Sequence, residues 1–375
     1  MVKGLLSVLT IISFLSLFLY SCSPNEKPIS SVEDKKDTII VLENDAIQLK
    51  ISVFGGAIID FHDKKNGINP LTWKMKESQM PDNNKNGAVF QGHFVCVGHW
   101  GSPSEGEKKL GMPHNGEPAN NWWNIKSKKD GRFLEMSCDA PLDGLTINRK
   151  VAVSQNTSCF KVTETITNDL SIGRINTIVQ HATLGLPFVD KSLIINSNAT
   201  YGFNRNLTKY GLEKYAAEWP KAYADTLMKT IDVSKSSWDS DYVATYIFSD
   251  SIGWITAVNF SQKQLVGYAW KTNEYPWLSI WNGMQDGKQW AKGLEFGTTG
   301  LGDTYSFIDR CSISFHKVRS IEYIDAKSSV SKTYFCFGLQ IPDGFQKTLR
   351  VFFDKGMVTA VLLTNSGVKE IQFLL

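Results

Sequence analysis

Six histidines are the groups best suited to chemistry near neutral pH in this chain, as metal ligands or as proton carriers: His62, His93, His99, His114, His181 and His316. None stands in a compact ligand motif with a carboxylate, such as His-Glu-x-x-His, so a metal centre is not expected. His93 and His99 share the run Gln91-Gly-His-Phe-Val-Cys-Val-Gly-His-Trp100, and on a strand their even spacing would place both on one face. A structural role for at least one of them is the simpler expectation. His181 follows Val179-Gln180 in an apolar stretch, where a lone histidine reads as a hydrogen-bonded core residue. Glu295, between Leu294 and Phe296, reads by itself as a strand-edge carboxylate turned to solvent. The cysteines are scattered without Cys-x-x-Cys spacing, which argues against a zinc site and against a dense disulfide framework. Cys96 and Cys336 lie in apolar runs, where a thiol behaves as a small hydrophobe. The chain is also rich in tryptophan, with 11, which suggests sugar faces stacked on indole rings; for any single Trp, core filling is the ordinary role.

The elements that must position these groups are strands. Short runs rich in Val, Ile, Thr and aromatics recur between Gly, Asn, Asp and Pro, among them 38–42, 47–53, 145–153, 160–166, 242–248, 254–258, 265–270, 335–341, 349–353 and 358–363. Only 209–229 has a helical composition, and Pro220 interrupts it. The prediction is an all-β fold, a large antiparallel β-sandwich. No repeat and no linker divides residues 37–375, which therefore read as a single domain. The strands from about Thr333 onward carry no candidate chemistry and are expected to complete a sheet. Lys and Arg number 40 against 37 Asp and Glu, without a long basic run, so nucleic acid is not an expected partner.

The first residues have a different character. Lys3 precedes an apolar stretch from Leu5 to Tyr20, too short for a comfortable membrane span of about 20 residues. It ends in Leu19-Tyr20-Ser21-Cys22, which resembles the lipobox of bacterial lipoproteins, in which the cysteine is acylated. Residues 1–21 are then expected to be a signal peptide, Cys22 the lipidation site, and 22–36 a flexible tether. This implies a place at the cell envelope, periplasmic or at the outer membrane, with the membrane as a partner through the lipid. Ser23 after Cys22 resembles lipoproteins sent to the outer membrane. Acylation of Cys22 leaves an odd set of five: Cys96, Cys138, Cys159, Cys311 and Cys336.

Three segments, taken together, resemble the aldose 1-epimerase or galactose mutarotase-like family. They are Val53-Phe-Gly-Gly-Ala-Ile-Ile-Asp-Phe61 with Asn69-Pro-Leu-Thr-Trp73, then Thr163-Glu-Thr-Ile-Thr-Asn168 with His181-Ala-Thr-Leu-Gly-Leu-Pro-Phe188, then Tyr275-Pro-Trp-Leu-Ser-Ile-Trp281 with Gly293-Leu-Glu-Phe-Gly-Thr-Thr299. The order matches a family pattern of a Gly-Gly-Ala-Ile strand, a His-Gly block near a Trp, a strand-borne His and a Glu in a Leu-Glu-Pro-like turn. The resemblance runs from about residue 38 to about residue 302 and implies the galactose mutarotase-like sandwich. It implies that His181 is the general acid and Glu295 the general base. His114, in Gly111-Met-Pro-His-Asn-Gly-Glu-Pro-Ala-Asn-Asn-Trp-Trp123, is similar to the first histidine of the family's His-Gly-Phe-Ala-Arg block, with Trp122 or Trp123 as the downstream Trp. Here Asn115 intervenes before Gly116, and Glu117 and Pro118 stand where the family has its Arg, which unsettles the usual hexose specificity. Asp239, with Asp241 as its near equal, matches a sugar-hydroxyl-binding Asp. Trp281, Trp277, Glu117 and His99 complete the candidates for sugar contact, and His93 or His99 would replace His114 if it fails.

The implied chemistry is the interconversion of sugar anomers. A base takes the anomeric proton while an acid protonates the ring oxygen, the ring opens, one bond rotates, and the ring closes on the other face. The expected state is an ionised carboxylate and a protonated imidazole on either side of a mono- or oligosaccharide, with no cofactor, in a monomer. Two alternatives stand beside it. One is a carbohydrate-binding lipoprotein without turnover, motivated by the altered His114 block. The other is a polysaccharide hydrolase or lyase on a related sandwich; a hydrolase needs two carboxylates flanking one bond, Glu295 with Glu117 or Asp239.

Overall fold

The strand Leu145–Val153 shows how the sequence builds this fold. Leu145, Ile147, Arg149, Val151 and Val153 are buried, while Thr146, Asn148, Lys150 and Ala152 face outward. This is the period of two expected of a strand with one face on a core. The neighbouring strand Cys159–Asn168 alternates likewise, with Phe160, Val162, Glu164, Ile166 and Asn168 turned inward. The structure is a computed structural model, and it describes residues 38–84, 86–236, 240–302, 304 and 314–375. Residues Asp37–Leu375 form one compact unit. Among the described residues, no helix is long and apolar enough to cross a membrane.

Two large antiparallel sheets carry the fold. The ten-stranded sheet runs Ile39–Glu43, Ile47–Ser52, Ile58–Asp63, His93–Val97, Ile178–Gly185, Lys288–Gly297, Trp277–Gln285, Tyr242–Phe248, Ala199–Asn204 and Ala217–Glu218. The eight-stranded sheet runs Leu193–Ser197, Ile252–Asn259, Gln264–Lys271, Ser329–Gln340, Cys159–Asn168, Leu145–Val153, Phe133–Ala140 and Asn124–Lys129. Their facing side chains make the main core, from Leu42 and Ile51 through Ile147, Val162 and Leu184 to Leu294 and Tyr334. This is the predicted large antiparallel sandwich. A buried ion pair lies in that core, both partners on the eight-stranded sheet: Arg149 Nε donates to Glu164 Oε1 at 2.7 Å. The Gln180 amide donates to the other Glu164 oxygen, Arg149 Nη1 donates to the Gly56 carbonyl, and Gln180 also donates to Tyr275 Oη at 3.1 Å. Because Glu164 belongs to one sheet and Gln180 to the other, this network fixes the two sheets against each other.

Two expectations need correction. The segment 209–229 forms no α-helix. It holds 3₁₀ turns at Arg205–Tyr210 and Glu213–Tyr215 and short strands at Ala217–Glu218 and Lys221–Tyr223. Pro220 sits between those strands, where its missing N–H costs nothing that a helix would need. The closing strands do more than complete a sheet. Ser329–Gln340 does join the eight-stranded sheet, but Phe345–Asp354, Met357–Thr364 and Gly367–Leu374 form a sheet of their own. That third layer buries Phe345, Val351, Val358, Leu362 and Phe373 against Trp254, Leu265, Phe335 and Phe337 on the outer side of the eight-stranded sheet.

Breaking one half of the central ion pair strands a buried charge. Glu164→Leu is expected to lower unfolding free energy by about 3–5 kcal/mol, and Arg149→Met combined with Glu164→Leu to recover most of that loss. Urea denaturation of the single and double variants measures both.

Candidate active site

The candidate catalytic pair is set by strand register. His181 in Ile178–Gly185 is the direct cross-strand partner of Glu295 in Lys288–Gly297. Across the ten-stranded sheet the row continues through Phe94 on one side and Ser279 and Thr245 on the other. Alternation sends Gln180 and Ala182 into the sandwich core and His181 to the opposite face, where Glu295 also emerges. Gly293, two residues before Glu295, makes room for it: a Cβ there would lie 2.5 Å from Glu295 Oε1.

On that face a cavity of about 360 Å³ opens, at the small end of the usual range for ligand sites. Its floor is His181, Glu295 and Phe94, and its walls include Trp73, Trp100, Trp281, Phe90, His114 and Arg205. The His181 ring stacks on Phe94, with centroids 4.4 Å apart, and lies near-parallel to Trp73 at 6.2 Å. Trp281 meets Trp73 edge-on, and its Nε1 donates to Asp241 Oδ1 at 3.1 Å. His181 Nδ1 contacts Thr183 Oγ1 at 2.9 Å, and its Nε2 lies 3.3 Å from Glu295 Oε1. The two groups are therefore neighbours on one floor, in contact with each other, and do not stand on opposite sides of the cavity. Glu295 lies within a regular strand, where the family pattern implied a turn.

Electrostatics reverse the expected resting charges. Burial pushes the Glu295 carboxyl up to about 8, with the Arg205 guanidinium acting in the opposite direction. Burial brings the His181 imidazole down to about 3. Below about pH 8 both shifts favour a neutral pair, with its single proton on Glu295. His114 is likewise held down to about 4 by burial, with the positive charge of Lys108 adding to the effect.

His181, Glu295, His114 and Trp281 come together in the cavity, and among the described residues the other sequence candidates do not line it. Glu117 is buried elsewhere, its Oε2 accepting from the Leu142 amide at 2.9 Å, so it staples a loop. Trp122 stacks on Phe54 at 4.6 Å. His99 is buried between Glu107, at 3.4 Å, and Asp143, at 3.8 Å. His93 points into the sandwich core, with Nε2 3.2 Å from Gln180 Oε1, and Trp277 is buried in a separate cluster. His62 and His316 pair with Asp60 and Glu213. Asp239, Cys22 and Cys311 lie outside the described residues. Cys96, Cys138, Cys159 and Cys336 are buried free thiols whose pKa values burial raises. Among the described residues, no group of three or more His, Cys, Asp or Glu is placed to hold a metal.

Sequence reasoning missed three residues of the cavity. Trp73 was in view only as part of a motif, and Trp100 only as the neighbour of His99. Arg205 begins a 3₁₀ turn directly after the strand Ala199–Asn204, its guanidinium 4.7 Å over the Trp100 ring and Nη2 donating to the Gly302 carbonyl at 2.6 Å. It brings an arginine to the cavity from a distant part of the chain, although the block around His114 lacks one.

No protein-family model matches the chain, and no curated protein matches it by sequence. Solved structures do match in fold. A galactose mutarotase related enzyme from Lactobacillus acidophilus superposes with a TM-score of 0.58 at 11% identity, over 82% of this chain and 99% of that one. A galactose mutarotase-like protein from Clostridium acetobutylicum gives 0.57 at 13%, over 82% and 96%. A candidate aldose 1-epimerase from Escherichia coli K12 gives 0.57 at 12%, over 82% and the whole of its own length. The chain thus has the galactose mutarotase-like sandwich fold.

The raised pKa of Glu295 makes a stability prediction. The folded chain holds this proton more tightly than the unfolded chain, so the contribution is complete below 4.5 and is lost as pH rises through about 8. Glu295→Gln removes that loss. Its melting temperature relative to the parent should climb between about pH 5 and pH 8, and a flat difference in paired thermal melts refutes the assignment. His181 contributes in the opposite sense, losing stability as pH falls from 6.5 towards about 3, in both proteins.

Proposed function

We propose that the chain is an aldose 1-epimerase-like enzyme that interconverts sugar anomers by general acid–base ring opening. The observation that carries this reading is the contact between His181 and Glu295, 3.3 Å apart on the floor of an aromatic cavity. The anomeric hydroxyl and the ring oxygen are bonded to the same carbon, so adjacent side chains on one floor reach both. The pair needs one proton between its members. Burial favours leaving it on Glu295. A sugar hydroxyl donating to Glu295, and a ring oxygen accepting from His181, favour the ionic form, because hydrogen bonds to a charged state stabilise it. With the proton moved to His181, Glu295 takes the anomeric proton and His181 delivers its own to the ring oxygen. Closing the ring after rotation reverses both transfers. Help of this kind is worth about 10²–10⁴-fold. The indoles of Trp73, Trp100 and Trp281 offer faces for the sugar's apolar side.

Among the described residues Glu295 is the only carboxylate lining the cavity, which weighs against a hydrolase using two. Asp239 is proposed to bind a sugar hydroxyl; it lies two positions before Asp241, the acceptor for Trp281. We further infer that the chain is a monomeric lipoprotein held at the envelope through Cys22. The lipid anchoring is supported by Lys3, the apolar 5–20 run and the Ser21-Cys22 junction.

Polarimetry tests the reading. The protein should speed the optical-rotation decay of a freshly dissolved aldose from a broad panel, and Glu295→Gln should lower the rate by about 10²-fold or more. Sugar binding by calorimetry without any acceleration would instead make it a carbohydrate-binding protein, and release of reducing ends from a polysaccharide would make it a hydrolase.

A further inference from the structure

His114 is held differently from the pair on the cavity floor. It lies in an irregular turn, and its backbone, unlike that of His181 or Glu295, has no strand ladder to fix it. Two buried asparagines take the ladder's place. Asn84 Oδ1 accepts the His114 N–H at 2.9 Å, and Asn84 Nδ2 donates to the His114 carbonyl at 3.3 Å and to Asn120 Oδ1. Asn120 Nδ2 donates to the same His114 carbonyl at 2.9 Å and to the Gly116 carbonyl at 2.7 Å. Both carboxamides are thereby fully satisfied, and both peptide groups of His114 are grasped from one side. The side chains are 3% exposed, so water offers no substitute partner.

The surroundings are shaped for this clamp. A Cβ on Gly87 would lie 2.5 Å from Asn120 Oδ1, and a Cβ on Gly116, at φ +78°, would lie 2.2 Å from the Val97 carbonyl. Asn115, at φ +63°, turns its Oδ1 to the Gly101 amide at 2.8 Å, which ties the His114 turn to the Trp100 wall. Asn84 also closes the segment that carries Met75, Gln79 and Pro81 into the cavity, so one side chain joins two of its walls.

We propose that Asn84 and Asn120 are positioning residues that set the place of the His114 imidazole in the cavity. The proposal rests on the epimerase reading only in taking His114 as a group that touches the sugar. Asn115, the residue by which the block departs from the family pattern, then has a task of its own: it supplies the left-handed step that brings His114 between the two amides.

The test reads His114 without any sugar. Histidine ring resonances of the full chain are followed against pH by NMR, with His114 and His181 assigned from His114→Gln and His181→Gln. In the parent, burial and Lys108 keep the His114 midpoint near 4. Asn84→Ala and Asn120→Ala are each expected to move it up by about one unit or more as water reaches the ring, with the His181 midpoint in place. For any aldose that is turned over, the same variants should lower kcat by about tenfold or more. An unmoved His114 midpoint in the folded variants overturns the proposal. So does an equal shift of His181, the mark of general loosening. If an alanine variant does not fold, Asn84→Ser and Asn120→Ser keep a polar group in the buried site and are read in the same way. A chain that epimerises nothing still tests the clamp, and an unmoved His114 leaves the epimerase reading standing.

Discussion

A guanidinium and a carboxylate buried between two sheets constrain this protein more than any apolar contact does. Charges removed from water are tolerated only when paired and hydrogen-bonded, so Arg149, Glu164, Gln180 and Tyr275 must meet in one arrangement. Hydrophobic packing alone would accept a strand slid by two residues. This network does not, because a slide would leave Glu164 short of partners. With Gln180 pinned inward, alternation forces His181 outward, and the antiparallel register then places Glu295 beside it. The candidate chemistry on one face of the sheet is thus fixed by a polar contact on the other.

The two halves of the cavity are built by different means. The floor is carried on strands, whose ladders hold His181, Glu295 and Phe94 in place, and the Trp281 wall rises from a strand of the same sheet. The walls come from the segments 73–81, 100–102 and 114–115 and from Arg205, and they depend on side chains reaching to backbone. This division puts the His181–Glu295 pair on the rigid part and leaves the other lining groups on parts that vary more freely in length and sequence.

Much of the fold was legible in the sequence, because a strand with one face on a core writes its geometry as alternation. Leu145–Val153 is plain in this respect. The strand Ser329–Gln340 is less so: its second half is buried on both sides, since Tyr334 and Cys336 face one core while Phe335 and Phe337 face another. A continuous apolar run does not say what covers its second face, and the third sheet went unforeseen for that reason. In the site, the order of motifs brought His181 and Glu295 into view, but only register shows that they touch. His99, Glu117 and Trp122 do not line the cavity, because strand spacing and motif order do not say which way a side chain leaves an irregular turn. The backbone there has positive φ at Gly98, Gly101, Asn115 and Gly116, and each such turn redirects the residues beside it. Arg205 gave no signal at all: one arginine after one strand reads as surface.

The third sheet carries a consequence for how the chain tolerates being shortened. It covers Trp254, Leu265, Phe335 and Phe337, large apolar groups on the central strands of the eight-stranded sheet. A product cut after Gln340 would keep both main sheets and every described residue of the cavity, yet it would bare a contiguous aromatic patch. Such patches drive self-association. The loss of this layer would therefore appear as clumping in solution before it appeared at the cavity.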